Sequence, residues 1–172
     1  HALVAYYLGD PTAKINGRLS LNPINHLDPV GSLVFLITWG GGWGKPVPFN
    51  PYNLKNQKWG PALVSVAGPV MNIILAILFG IVLKLVVVYS NLSMTNGLIQ
   101  LLNAIVIINI ILAVFNLIPV PPLDGSKILY AILPQRFSVA VITLEKWGPF
   151  ILIFLVIFAG TLFGTLFSVI VN

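Results

Sequence analysis

The pattern of apolar and polar positions along the chain yields three stretches long enough to cross about 30 Å of hydrocarbon, which takes roughly 20 residues of helix. They run over about 62–89, 98–118 and 149–171. The first contains Gly68-Pro69, which predicts a kink or break near its start, and Lys84, close enough to its far end to snorkel. A shorter apolar run at 1–8 reads as the tail of a fourth span begun upstream, because Gly9-Asp10-Pro11 supplies a stop signal and so few residues cannot cross alone. The stretch 31–50, "GSLVFLITWGGGWGKPVPFN", is only briefly apolar and rich in Gly, Pro and Trp. It predicts an interfacial or re-entrant segment with strand-like pieces, Trp39 and Trp43 suiting the headgroup level. Such a segment is either a surface loop anchored by tryptophans or an edge strand able to pair with an extended peptide.

Composition agrees with the pattern. With 58% hydrophobic and 8% charged residues the chain is far more apolar than a soluble domain, so the expected fold class is an all-α membrane protein. The architecture expected is a multi-span helical bundle with a short re-entrant, strand-like region. Basic residues then assign the sides. The segment 9–61 holds Lys14, Arg18, Lys45, Lys55 and Lys58, the loop 90–97 holds none, and 119–148 holds Lys127, Arg136 and Lys146. The first and third segments are therefore expected in the cytoplasm, the middle loop and the C-terminus outside. On so apolar a chain the net charge of +5 sets topology, and no nucleic-acid partner is expected. The absence of Cys excludes disulfides, thiolate nucleophiles and Cys-type metal sites.

Candidate chemistry is confined to a short inventory: Asp10, Asp28, Asp124, Glu145, His1 and His26. His1 lies about nine residues, or roughly 13 Å of helix rise, before the cytoplasmic end of its helix. Asp124 follows the second span in "NLIPVPPLDG", where Pro119, Pro121 and Pro122 end the helix and hold the chain extended, and Gly125 permits a turn that aims the carboxylate back inward. An imidazole and a carboxylate can thus meet at membrane depth on the cytoplasmic side, and polar groups there are functional candidates by default. Hydrolytic zinc takes three protein ligands and a water. The third ligand is either His26 or a residue upstream of His1; a zinc-binding helix commonly carries HExxH, and if His1 is its second His, the first His and the general-base Glu precede residue 1.

The other polar residues read as structural. His26 and Asp28, between prolines, suit turn hydrogen bonds, as does Asp10 before Pro11. Glu145 reads as a solvated partner of Lys146, and Asn103 and Asn109 as amides bonding a neighbouring helix. Asn116 is placed to cap freed carbonyls or to line a site. "GTLFG" at 160–164 fits a helix-packing face, and the sequon at Asn91 lies too near the bilayer to be used.

In order along the chain, "HALVAYYLGDPTAK", "GRLSLNPINHLDPVGSL", "GWGKPVPFNP", "VSVAGPVMN" and "FNLIPVPPLDG" resemble the successive motifs of the site-2 protease family, peptidase family M50, from His1 to about Gly125. The resemblance implies a single transmembrane protease core across 1–172 and an enzyme, an intramembrane zinc metalloendopeptidase that hydrolyses peptide bonds of transmembrane substrates by zinc-activated water. It implies Zn2+ as cofactor, His1 and Asp124 as ligands, and a first His and catalytic Glu upstream. Asn72 of "GPVMN" matches the family's Gly-xxx-Asn element, which holds substrate or oxyanion. The implied partners are a transmembrane protein or peptide and the lipid bilayer, in a multi-pass protein of a bacterial or archaeal cell membrane whose active site faces the cytoplasm. Two rivals are a non-catalytic protein of the same fold and a transporter with broken helices; few acids, no paired repeat and an Asp outside any regular span count against the transporter.

Overall fold

The computed structural model describes residues 1–20, 22–38, 44–90 and 92–171, without the side chains of residues 23, 34, 35, 38, 135, 156, 157 and 159–171. Trp39, Trp43 and the Asn91 sequon lie outside the described residues, as do the side chains of the 160–164 packing face. Among the described residues the chain is helix and turn, with one isolated antiparallel bridge between Leu27 and Gly44. It divides into two compact units, His1–Ala67 and Gly68–Asn172.

The first unit starts with α1 (Ala2–Tyr7), followed by the single turn α2 (Thr12–Ile15), α3 (Pro29–Thr38) and the first turns of α4 (Gly60–Tyr89). Its core is Ala5 of α1, Leu54, and Val64 of α4, with Val4, Leu8 and Phe49 packed against them. Burying Val64 contributes about 1.5–3 kcal/mol. The chain leaves α1 through Gly9, whose φ of 108° lies in the left-handed region; a Cβ there would also stand 3.2 Å from the Asn53 carbonyl oxygen.

Asp10 is far more than a local turn former. It is 0% exposed and accepts hydrogen bonds from the Thr12 amide and hydroxyl, the Asn50 amide and the Asn53 side chain. Burial pushes its carboxyl up, but these bonds together outweigh burial and hold it below the usual carboxylate range.

The strand-like expectation for 31–50 is corrected over its first part. Residues 29–38 form α3, because Pro29 occupies the first helical position and Asp28 caps it, its carboxylate accepting the Gly31 amide at 2.8 Å. No edge strand forms among the described residues of this segment; a bridge at Gly44, the Lys45 amide bonded to the His26 carbonyl at 2.9 Å and the Asn50 amide bonded to Asp10 at 2.6 Å hold its second half.

The second unit holds the rest of α4, then α5 (Gly97–Asn116), α6 (Gly125–Ile132) and α7 (Ser138–Val171). Asn96 starts α5 by accepting the Leu98 amide at 2.9 Å. Of the kink or break expected at Gly68-Pro69, a break does not occur: α4 runs through Pro69, which has no amide to offer the Ser65 carbonyl. The same dipeptide is where the two units divide. Helix α7 begins eleven residues ahead of the expected span and also runs through a proline, Pro149. Hydropathy marks only the part of a helix that suits hydrocarbon, and the polar turns around Glu145 and Lys146 extend it beyond that part.

Among the described residues, three helices are long and apolar enough to cross a membrane, Gly60–Tyr89, Gly97–Asn116 and Ser138–Leu155. Their large apolar side chains are mostly exposed, Ile77 by 58% and Ile111 by 58% for example. A continuous apolar surface on that scale belongs in lipid, so the molecule is an all-α integral membrane protein.

Candidate functional site

His1 sits at the N-terminal end of α1, and its Nδ1 lies 2.8 Å from the Val64 carbonyl oxygen. A carbonyl only accepts, so Nδ1 carries a hydrogen and donates it to Val64. A carbonyl bond of this kind fixes the tautomer and orientation of a histidine ring. The bond has a structural origin. Val64 is a core residue, and the packing of Ala5 against it brings α1 and the start of α4 together.

His26 is the second titratable residue at this place. It lines the same cavity as His1, a space of about 480 Å³ walled also by Ala2, Leu3, Leu19 and Val47. Its Nε2 donates to the Ser20 carbonyl at 2.7 Å. Turn chemistry alone gives His26 a local structural role; its place in the cavity of His1 has no signal in spacing, since 24 residues, including α1 and α2, lie between them.

Asp124 belongs to the second unit. The chain after α5 does not run extended through its prolines but folds into successive turns, the Val120 amide bonding the Ile118 carbonyl at 2.8 Å and the Leu123 amide that of Val120 at 3.0 Å. Asp124 itself has helical backbone angles at the start of α6, and its half-buried carboxylate makes no capping bond to that helix. Gly125 serves close approach rather than a left-handed turn. A Cβ at this position would stand 2.2 Å from the Leu117 carbonyl oxygen and 2.5 Å from that of Ile118. Only glycine lets the first turn of α6 lie against the carbonyl-bearing end of α5. Gly148 of α7 packs closely on the turns ahead of α6, where a Cβ would stand 2.6 Å from the Pro121 carbonyl oxygen.

Asn72 lies half-buried on α4 and Asn116 at the end of α5. The Asn116 amide donates to the Leu112 carbonyl of its own helix at 3.0 Å, and Asn109 does the same to Ile105 at 2.8 Å, so Asn109 bonds along its helix and not across to a neighbour. Beside Asn72 and Asn116 in sequence, Ile73 and Leu117 line one apolar cleft of about 260 Å³ with Ala76 and Ala113. Glu145 pairs with Lys127 at 2.8 Å and not with Lys146, since adjacent residues on a helix point apart. His1 thus belongs to the first unit, and Asn72, Asn116 and Asp124 to the second. Among the described residues no group of three His, Cys, Asp or Glu forms a metal site by itself.

The fold defines the class, an all-α integral membrane protein. Comparison with known proteins narrows it. A model described as peptidase family M50 matches residues 82–143. YwhC of Bacillus subtilis, provisionally named a zinc metalloprotease, is 41% identical over 165 residues, which cover 94% of this chain and 74% of that protein. Rip2 of Mycolicibacterium smegmatis, provisionally named likewise, is 29% identical over 170 residues, 91% of this chain and 60% of its own. Zinc metalloprotease MJ0392 of Methanocaldococcus jannaschii is 37% identical over 84 residues, 49% of this chain and 23% of its own. No solved structure matches the chain.

The chain belongs to peptidase family M50, the site-2 protease family. It is a membrane protease whose cofactor is zinc. The donor chemistry fits that metal: a carbonyl-oriented imidazole and a carboxylate not engaged in capping are two of the ligand types hydrolytic zinc takes.

Proposed function

We propose that this chain is the core of a multi-pass intramembrane zinc metalloendopeptidase that cleaves membrane-spanning proteins or peptides, in regulated intramembrane proteolysis, at a site near the cytoplasmic face of a bacterial or archaeal cell membrane. The observation that carries this reading is the His1 imidazole, anchored through Nδ1 to Val64, in a chain with three membrane-length helices. The basic segments 9–61 and 119–148 support the cytoplasmic side for the site.

His1 and Asp124 are the residues of this chain that would hold zinc, with one further His and the general-base Glu expected before residue 1. The chemistry a zinc held there would supply is the activation of a water as nucleophile near neutral pH. The Val64 carbonyl keeps His1 in one tautomer and orientation. Asn72 donates its side-chain amide to the oxyanion that develops on the scissile carbonyl, and Asn116 lines the site. A helical substrate has its carbonyls bonded internally and must unwind before attack, so helix-breaking residues in the substrate speed cleavage.

The test uses the full-length protein in liposomes with a single-span substrate, with and without a Gly-Pro pair in the span. About one zinc per chain is expected, with cleavage inside the span, faster for the Gly-Pro substrate and abolished by a chelator. Cleavage restricted to soluble peptides overturns the intramembrane reading.

A further inference from the structure

The cavity beside His1 is walled on one side by the metal-ligand helix, through His1 and Leu3, and on the other by loop residues Leu19, Val47 and His26. Its volume of about 480 Å³ is in the range of small-ligand pockets, and most of its lining surface is apolar, although Arg18 and Ser20 line it as well as the two histidines. A group that enters a cavity bounded by a zinc ligand is next to the reacting bond. We infer that this cavity is the subsite for one substrate side chain flanking the scissile bond, that it takes apolar side chains, and that Leu19 and Val47 set the size accepted. The inference rests on the reading of His1 as a zinc ligand.

The loop walls are held in place by a hydrogen-bond network centred on His26. Its ring donates to the Ser20 carbonyl at 2.7 Å, beside Leu19, while its own carbonyl accepts the Lys45 amide at 2.9 Å, two residues from Val47. Arg18, on the other side of Leu19, is tied through its amide to the Ala13 carbonyl at 2.8 Å and through its guanidinium to the Asn25 carbonyl. Both walls therefore hang from one histidine, and a wall fixed in this way discriminates by size because it does not give to fit a larger guest. His26 acts through Leu19 and Val47, which makes it a positioning residue and not a third ligand.

The experiment uses the full-length protein and its zinc content, with two probes: peptide hydroxamates bearing a methyl, isobutyl or benzyl side chain, and a peptide panel with Ala, Leu or Phe flanking the cleaved bond. Leu19→Trp and Val47→Trp are expected to keep zinc and to lose roughly tenfold or more of the preference for isobutyl and benzyl over methyl, in affinity and in cleavage. Val47→Ala is expected to shift the preference toward benzyl, and His26→Ala to flatten the ranking with zinc retained. An unchanged ranking in the Trp variants and in Val47→Ala, each still holding zinc, overturns the subsite while leaving the protease reading intact. Loss of zinc in His26→Ala overturns the positioning role. A wild-type protein that holds no zinc fails before any variant is compared, and that failure belongs to the reading beneath.

Discussion

Two aspartates follow helices in this molecule, each next to a glycine and near prolines, and their fates are opposite. Asp10, after α1, is fully buried, and its oxygens are occupied by the amides and side chains of Thr12, Asn50 and Asn53. Asp124, after α5, is half-buried at the start of α6 and makes no capping bond to it. The difference lies in what the neighbouring chain offers. Around Asp10 the Asn50–Asn53 segment returns with its donors aimed inward, the Lys55 amide bonding the Leu8 carbonyl at 2.9 Å to close the loop. After Asp124 the chain makes a close approach at Gly125, against the Leu117 and Ile118 carbonyls. One aspartate is a structural knot; the other stands at the start of a helix that it does not cap.

Substitutions at the two sites break this comparison in different ways. The largest effect is expected for Asp124→Ala: zinc, measured by elemental analysis of the purified full-length protein, falls well below one per chain and proteolysis drops by more than about 100-fold while the helical signal persists. Full zinc occupancy in that variant removes Asp124 from the ligand set. Next is Gly125→Ala, whose Cβ would meet the Leu117 carbonyl oxygen at 2.2 Å. It should cost about 3 kcal/mol of stability in detergent unfolding, the upper part of the range for overpacking, and lower zinc occupancy as a consequence.

Asp10→Ala should cost roughly 1–3 kcal/mol, because it leaves buried donors unsatisfied, and should lower zinc occupancy less than Asp124→Ala does. Its pH signature is distinct. Because the folded-state pKa is lowered, the carboxylate's contribution is present above the unfolded value of about 3.9 and is lost as pH falls through the folded value. Acid unfolding of wild type should therefore steepen below about pH 4, and Asp10→Asn should remove that part of the slope. The smallest effect is expected for Glu145→Gln, which opens an exposed ion pair with Lys127 and should change stability by less than about 1 kcal/mol.

Much of the membrane architecture was legible because hydropathy sums over about 20 consecutive residues, and α4, α5 and α7 contain the three apolar stretches. Helix α3 was missed although its signal was present: Asp28-Pro29 is a cap followed by proline at the first helical position, whereas the Gly and Trp residues at 39–44 point toward strand and turn. Glu145 was given the wrong partner because Lys127 is 18 residues away on another helix. His26 was rated a turn residue, which its bond to Ser20 supports, but its place in the cavity of His1 depends on how the 20–47 segment folds back.

By itself the sequence determined where hydrocarbon must lie and which side chains are available as ligands, since two histidines, four acids and no cysteine leave few choices. Only the tertiary structure decided how those few are used. The tautomer of His1 is set by a carbonyl 63 residues away, and the burial of Asp10 by donors 40 and 43 residues on. Hydrophobic burial is additive along the chain and can be read locally, whereas a hydrogen bond needs both partners at one distance and angle, which only the folded chain supplies.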